Sequence, residues 1–225
     1  MRHSALLDPP RARPAPASPP RRAAATPAAP GSSRASWWPI APALVIVVVT
    51  ALAWWPFTLD DAFITWRYAL HLAHGVGPVF NPGEAVEGSS SPGWMLVLAA
   101  ALRLGLGIAT SAKTLSVLSG LLVTGLVFVS ARRLGCRAWL AGAACAWLVL
   151  LPTWQAYLVS GLETTTDTAA VTALAVLPWL VSGRSARGVW IALAAIAVVM
   201  LRPTGPLVAA VLGAVWWRST RDPAA

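Results

Sequence analysis

Charged residues are scarce in this chain. They make up 11% of its 225 residues, against about 25% in an ordinary soluble domain, and only eight residues are acidic. Hydrophobic residues reach 57%, and the mean hydropathy is +0.65. This composition excludes an ordinary soluble domain and predicts an integral membrane protein.

Cysteine is also nearly absent, and the excess of basic residues does not form a surface for nucleic acid. Cys136 and Cys145, the two cysteines, lack the spacing of metal ligands, so we expect small buried side chains. The formal net charge of +9 comes from basic residues that lie between apolar segments, without interleaved aromatic residues. This distribution is typical of membrane topology, and no nucleic-acid partner is expected.

Residues 1–36 contain no apolar run. They include eight prolines, six arginines and a single acid, Asp8. A segment of this composition cannot bury a core, so we predict a disordered tail. Its positive charge predicts that the tail lies on the cytoplasmic side of the membrane.

The first long apolar run covers residues 37–57 and predicts a membrane segment. A signal peptide is the competing interpretation, because the Ala-Leu-Ala sequence at 51–53 resembles a cleavage site. The region before the run is too long for a signal peptide, and the run continues past that site. We therefore favour an uncleaved anchor with a cytoplasmic N-terminus, which places Asp60 and Asp61 just outside the membrane.

Residues 60–75 have the periodicity of an amphipathic helix. Apolar side chains recur at intervals of three and four and form one stripe, which consists of Phe63, Trp66, Leu70 and Ala73. Asp60 and Arg67 share an arc that borders this stripe. We predict that the helix lies at the membrane interface, within an outer loop that covers residues 60–91.

The basic residues decide the topology. The apolar run at 92–109 is short and is interrupted by Arg103. If it does not cross the membrane, every loop with two or more basic residues is cytoplasmic, whereas a crossing would invert all of these loops. The first arrangement predicts an all-α, polytopic transmembrane bundle of about six segments, at 37–57, 115–130, 138–159, 168–181, 189–201 and 207–217. It also places Asp60, Asp61, Glu163 and Arg202 on the same outer side.

Two later polar motifs each have a structural and a functional interpretation. Glu163 and Asp167 flank the first turn of a predicted helix, where acids complement the helix dipole. Capping alone could explain both acids, although a role in a site is the stronger alternative for Glu163, which lies closer to the outer surface. Arg202 follows an apolar run directly, so it either snorkels to the interface or clamps a phosphate, whose geometry suits a guanidinium.

Six short segments together match a known pattern. They are Asp60-Asp61-Ala-Phe-Ile, Arg67-Tyr68, Gly-Pro-Val-Phe-Asn-Pro-Gly-Glu84, Val-Glu87-Gly-Ser-Ser-Ser-Pro92-Gly-Trp94, Ser-Gly-Leu-Glu163-Thr and Arg202-Pro-Thr-Gly. In this order they resemble the C-type (GT-C fold) membrane glycosyltransferases. They are most similar to the branch that includes the mycobacterial arabinofuranosyltransferases of the cell envelope, although the last segment departs at Thr204 from the form expected for that branch.

The resemblance implies an activity. Such enzymes take a sugar from a polyprenyl-phosphate carrier and transfer it to a glycan, lipid or protein acceptor of the cell envelope, on the outer face of the cytoplasmic membrane. It also implies that Asp60 or Asp61 is the general base for the acceptor hydroxyl, or holds a divalent metal ion where one is used. Asp60 is the leading candidate because it shares an arc with Arg67, a cation that can keep it ionised.

The remaining site residues follow from the charge of the leaving group. A polyprenyl phosphate needs cations as it departs, and Arg67 and Arg202 are the cations predicted on the outer side. Glu87 and Glu163 are supporting candidates, either as acids of the site or as residues that shape the loop.

In one respect the chain departs from the family. Its members usually carry a further set of membrane segments, so the predicted module at 37–218, with a short tail at 219–225, corresponds to the N-terminal half alone. We therefore expect a complementary C-terminal half as a partner, besides membrane lipid, the lipid-linked donor and the acceptor. The alternative is a non-catalytic membrane scaffold or transport component, or an inactive fragment of such an enzyme.

Overall fold

Every regular element is helical in the part of the chain that the computed structural model describes, which is residues 36–84, 86 and 88–221. A 3-10 turn at Trp38–Ile40 leads into the first α-helix. The α-helices are α1 (Ala41–Ala53), α2 (Asp60–Ala73), α3 (Pro92–Arg103), α4 (Ile108–Arg133), α5 (Ala138–Leu150), α6 (Pro152–Leu158), α7 (Thr164–Leu180), α8 (Arg184–Leu201) and α9 (Gly205–Arg221). The predicted all-α class is confirmed. The tail predicted at 1–36 lies outside the described residues except for Ser36, and so does Glu87.

Helix length separates the apolar helices. Among the described residues, α4 alone is long and apolar enough to cross a membrane, and α5 with α6 qualifies as well if this bent pair forms one span. The helices α3, α8 and α9, and α1 together with its 3-10 turn, are apolar but shorter. With a rise of about 1.5 Å per residue, α3 reaches only about 18 Å of the roughly 30 Å hydrocarbon core. The helices α1 and α5, with 13 residues each, are only one residue longer than α3, so helix length does not test whether residues 92–109 cross.

The segment predicted at 138–159 is two helices rather than one. The axes of α5 and α6 meet at an angle of 69°. Pro152 lacks the N–H that would continue the helix, and its ring disfavours helical backbone at Leu151, which is extended with φ −60° and ψ 129°. The proline therefore bends the chain where the apolar pattern alone predicted continuity.

Helix α2 confirms the predicted helix at 60–75 but buries a different face. Ala62, Trp66 and Ala69 pack in the apolar cluster between α2 and α3. Phe63 and Leu70, which were expected in one stripe with Trp66, are 54% and 40% exposed. Small side chains on the buried face allow the two helices to approach closely, so the bulky pair remains on the outside of α2.

Three apolar clusters hold the helices together. The first joins α2, α3 and the start of α4 around Trp94 and Leu98. The second joins α1, α4, α5 and α6 around Phe128 and Leu158, and the third joins α7, α8 and α9 around Val198. Residues 158–162 contribute to both the first and the second cluster, which fixes the position at which α7 begins.

The end of α8 lies where the sequence predicts it. Arg202 is extended, with φ −147° and ψ 147°, as expected for a residue that precedes a proline. Gly205 then starts α9 so close to α8 that a side chain there would meet the backbone of Val198. Helix α9 continues to Arg221, three residues into the segment predicted as a tail at 219–225.

Candidate functional site

Three of the predicted site residues, Asp61, Glu163 and Arg202, line one cleft of about 470 Å³. Its walls are α2, the loop before α3, the turn before α7 and the residue after α8. We call it the polar cleft, because side chains with oxygen or nitrogen atoms dominate these walls, namely Asp61, Thr65, Ser90, Tyr157, Glu163, Thr164 and Arg202. The cleft thus brings together residues from four distant parts of the sequence.

The turn at 160–163 is fixed by two tryptophans. The indole N–H groups of Trp66 on α2 and Trp94 on α3 both donate to the carbonyl oxygen of Gly161, each at 3.2 Å. Gly161 has φ +86°, and a Cβ atom there would lie 2.6 Å from the ring of Trp66. The N–H of Leu59 also donates to Ser160, at 3.1 Å. These bonds set the position of Glu163 relative to the start of α2, and hence relative to Asp61.

A cluster of charged side chains lies beside the cleft, and we call it the ionic cluster. Nη2 of Arg202 lies 3.3 Å from Oε1 of Glu163, and Nε lies 3.6 Å from Oδ2 of Asp167. The same Nη2 donates to the hydroxyl of Thr164 at 2.8 Å. The side chains of Glu163, Asp167 and Arg202 are 10%, 18% and 40% exposed. The pairs are therefore partly protected from water, and their attraction exceeds that of a surface pair.

Asp167 is the least satisfied member of the ionic cluster. Its Oδ1 atom is buried and makes no hydrogen bond within the described residues. Burial raises the pKa of this carboxyl, Arg202 opposes the rise, and the neighbouring Glu163 adds to it. Asp167 lies in the first turn of α7, before the membrane segment predicted at 168–181. The sequence interpretation as a helix cap explains its position but not its contact with Arg202.

The loop before α3 is fastened to α2 by Tyr68. The tyrosine hydroxyl donates to the carbonyl of Val86 at 2.7 Å and accepts from the N–H of Gly88 at 2.8 Å. A Cβ atom at Gly88 would lie 2.7 Å from the same hydroxyl, so the close approach requires glycine. Gly88 and Ser90 line the polar cleft, which makes Tyr68 a support for that wall.

Asp60 and Arg67 lie apart from the polar cleft. Asp60 is exposed on α2 and is not among the residues that line it. Arg67 donates to Phe80 at 2.7 Å and to Oδ1 of Asn81 at 3.0 Å, and its guanidinium stacks on the Phe80 ring. It lines a second cavity of about 520 Å³, which we call the apolar cavity because its other lining side chains are apolar. Ile64 lines both the polar cleft and the apolar cavity.

Sequence reasoning missed Lys113, the single lysine of the chain. It is buried on α4, and its ammonium donates to the carbonyls of Trp55 and Phe57 at 2.6 and 2.8 Å. These bonds hold the connection between α1 and α2, just before Asp60 and Asp61. The sequence does contain a signal for this role: a lone lysine within a long apolar helix needs backbone carbonyls or acidic side chains as partners.

The described residues do not form a metal site from protein ligands alone. No group of three or more His, Cys, Asp and Glu side chains is placed to hold a metal ion within them. Among the described residues, the pair Asp60 and Asp61 therefore has no third His, Cys, Asp or Glu side chain placed to complete a metal site. Cys136 and Cys145 are free; Cys145 is buried as expected, whereas Cys136 is only half-buried.

The arrangement has the elements of a proton-transfer site. Asp61 is a carboxylic acid that lines a cleft with room for a hydroxyl group, and the same cleft is lined by Glu163, which is paired with Arg202. No protein-family model, curated protein or solved structure matches this chain.

Proposed function

We propose that this chain is the membrane-embedded module of a glycosyltransferase that moves a sugar from a polyprenyl-phosphate donor to an acceptor of the cell envelope. The observation that supports this best is the polar cleft, which is lined by Asp61 and by the pair of Glu163 and Arg202. These are the residues that the resemblance marks as site residues, and they come from separate parts of the chain.

In the proposed reaction, Asp61 takes the proton of the acceptor hydroxyl as its oxygen attacks the anomeric carbon of the donor sugar. A new C–O bond forms, the bond between the sugar and the phosphate breaks, and the polyprenyl phosphate leaves with the electron pair. Asp61 replaces Asp60 as the leading base because Asp61 lines the cleft whereas Asp60 does not. Arg67 faces the adjoining apolar cavity, where an isoprenoid chain and its phosphate would find apolar walls and a cation.

The proposal includes a polytopic α-helical bundle in the cytoplasmic membrane, with the N-terminus inside and the loop at 60–91 outside. The exposed apolar side chains of Val45, Val48, Val49 and Leu52 along α1 support a position in the membrane, and the orientation follows from the basic residues alone. Lipid would cover such a surface at no cost, whereas water would not. The basic residues at 132–137 and 184–187 then face the cytoplasm.

A transfer assay tests the proposed function. The chain, together with its complementary half where activity requires one, is reconstituted with a panel of polyprenyl-phosphate pentoses and hexoses and an envelope glycan acceptor. We expect that Asp61→Asn abolishes transfer while the protein accumulates normally, because asparagine keeps the shape but cannot take a proton. Glu84→Gln is the matched control, since Glu84 is exposed and accepts a hydrogen bond only from Asn81 among the described residues.

Asp60→Asn is expected to retain most of the activity, because its carboxylate lies outside the cleft. Near-normal transfer by both Asp60→Asn and Asp61→Asn would remove the catalytic role of the pair. In that case the acids at the start of α2 act only on the helix dipole, and the alternative of a non-catalytic membrane component gains support.

A further inference from the structure

We infer that the polar cleft takes a neutral polyhydroxyl group, the acceptor sugar, and that Arg202 positions Glu163 instead of binding the donor phosphate. The inference rests on the proposed function for the identity of the ligand as a sugar. It revises the sequence interpretation of Arg202 as a phosphate clamp and adds Asp167 as a further positioning residue.

The contacts of Arg202 are the first reason. A guanidinium binds phosphate best when two parallel N–H donors point at it. Here Nη2 contacts Glu163 and Thr164, and Nε contacts Asp167. A phosphate that bound at this edge of the guanidinium would have to displace at least one carboxylate of the protein.

The charge balance is the second reason. Asp61, Glu163 and Asp167 place three carboxylates at or beside the cleft, against the one guanidinium of Arg202. The N-terminus of α7 would otherwise favour an anion, but Glu163 already stands at its N-cap and Asp167 in its first turn. A phosphate that enters the polar cleft therefore meets repulsion, whereas a neutral ligand does not.

The hydroxyl groups of the walls are the third reason. Thr65, Ser90, Tyr157 and Thr164 line the cleft together with the carboxylate of Asp61. Hydroxyls both donate and accept, and carboxylates accept, so this set matches a ligand that carries several hydroxyl groups. A cleft of about 470 Å³ has room for one or two sugar rings.

The apolar cavity offers the contrasting environment. Arg67 is the only charged residue among those that line it, and the described lining residues include no acid. The two predicted phosphate ligands are therefore not equivalent, since Arg202 contacts two carboxylates, whereas Arg67 contacts a carbonyl oxygen, an amide oxygen and an aromatic ring, all of them uncharged. The chemistry of the two cavities assigns a charged, lipid-linked group to Arg67 and a neutral glycan to the side of Arg202.

Binding measurements on the full chain in lipid nanodiscs test the inference without the need for turnover. The probes are methyl α-D-arabinofuranoside and methyl α-D-mannopyranoside, observed by saturation-transfer difference NMR, with inorganic phosphate added at constant ionic strength. We expect that at least one glycoside binds, that Asp61→Asn weakens it by about tenfold, and that phosphate does not compete. Glu84→Gln removes the same charge at a residue that does not line the cleft, and this variant is expected to bind the glycoside as wild type does.

The variants Glu163→Gln and Arg202→Gln separate the two roles of Arg202. If Arg202 acts through Glu163, both variants weaken glycoside binding, and the double variant is no weaker than either single one. If Arg202 binds phosphate, Arg202→Gln abolishes phosphate binding, and Glu163→Gln strengthens it by removing a repulsive charge. Competition by phosphate that depends on Arg202 would overturn the inference.

The failure of this inference can be told apart from the failure of the proposed function. Glycoside binding in the cleft without any sugar transfer would leave the inference standing and contradict the enzyme. Sugar transfer together with phosphate binding at Arg202 would support the enzyme and overturn the inference. Lack of binding by either glycoside in a protein that unfolds cooperatively, and so is folded, would also overturn it.

Discussion

The guanidinium of Arg202 lies 3.3 Å from the carboxylate of Glu163, which joins the break between α8 and α9 to the start of α7. Each residue stands at an irregular point of the backbone, where a helix ends or is about to begin. The side chains can therefore meet without either helix being distorted. Each charge would be costly to bury alone, and the pairing offsets this desolvation cost for both side chains.

The first prediction concerns the energy of this pair. Glu163→Gln and Arg202→Gln are each expected to lower the free energy of unfolding by about 1–3 kcal/mol, since each leaves a partly buried charge without its partner. The double variant should lose much less stability than the sum of the two single losses. We expect a coupling energy in the lower part of the range of about 0.5–3 kcal/mol, because Arg202 is 40% exposed. Denaturant titration in detergent micelles measures this. The pair Glu163→Gln and Arg67→Gln is the control and should be additive.

The second prediction concerns Gly161. Gly161→Ala is expected to destabilise the protein by about 2–5 kcal/mol, because a Cβ atom meets the Trp66 ring and the residue has φ +86°. Gly105→Ala is a matched control, with φ +81° but open space around its Cβ position. It should cost only the conformational term of about 1–2 kcal/mol. Equal losses in thermal unfolding would show that the contact with Trp66 contributes nothing.

The third prediction concerns Lys113. Lys113→Met removes two hydrogen bonds and leaves the carbonyls of Trp55 and Phe57 without their donor, which is expected to cost about 1–3 kcal/mol. Hydrogen exchange in residues 54–59 should accelerate at the same time. Arg103→Met is the control, because Arg103 also donates to two carbonyls but is more exposed to water, which can replace it. Similar effects of the two variants would contradict the importance of burial.

The fourth prediction follows from the raised pKa of Asp167. Because burial raises it above the ordinary value of 3.8, the native state binds this proton more tightly than the unfolded state does. Stability is therefore lost as the pH rises from 3.8 through the pKa of the folded state. As the pH rises through this window, the melting temperature of wild type should fall relative to that of Asp167→Asn. Parallel profiles would contradict the assignment.

The fifth prediction concerns topology. Single cysteines at positions 84 and 185, in a background with Cys136→Ala and Cys145→Ala, test the two sides of the membrane, because Glu84 and Ser185 are both exposed. In intact cells, an impermeant maleimide is expected to label position 84 and to leave position 185 unlabelled until the membrane is permeabilised. Labelling of position 185 in intact cells would contradict the proposed orientation.

The sequence predicted the helices better than it predicted how they pack against one another. Composition and periodicity predicted the all-α class, and Pro203 with Gly205 marked the break that follows α8. Periodicity could not choose the buried face of α2, because it weighs Phe63 and Trp66 alike, whereas packing against α3 favours the small Ala62 and Ala69. Long apolar patterns also hid the bend at Pro152, which depends on one missing N–H rather than on hydrophobicity.

The sequence predicted which residues form the candidate site better than it predicted how their side chains contact one another. Charge counting placed Asp61, Glu163 and Arg202 on one side of the membrane, and the structure brings these three to one cleft. The contact between Arg202 and Asp167 could not be predicted, because it depends on the angle between α7 and α8. The preference for Asp60 over Asp61 rested on the arc that Asp60 shares with Arg67, whereas it is Asp61 that is among the residues lining the polar cleft.

The carbonyl oxygen of Gly161 has a mechanical consequence. Since it accepts from both Trp66 and Trp94, a movement of the turn pulls on α2 and α3 together, so two walls of the cleft, α2 and the turn before α7, are tied to each other and to α3. Tyr68 also holds Gly88 to α2, and Arg202 is bonded to the start of α7, so any widening of the cleft falls to Ser89 and Ser90 of the loop. Substitutions in that loop can therefore retune which ligands fit while the helices keep their places, so selectivity can vary separately from the scaffold that supports it.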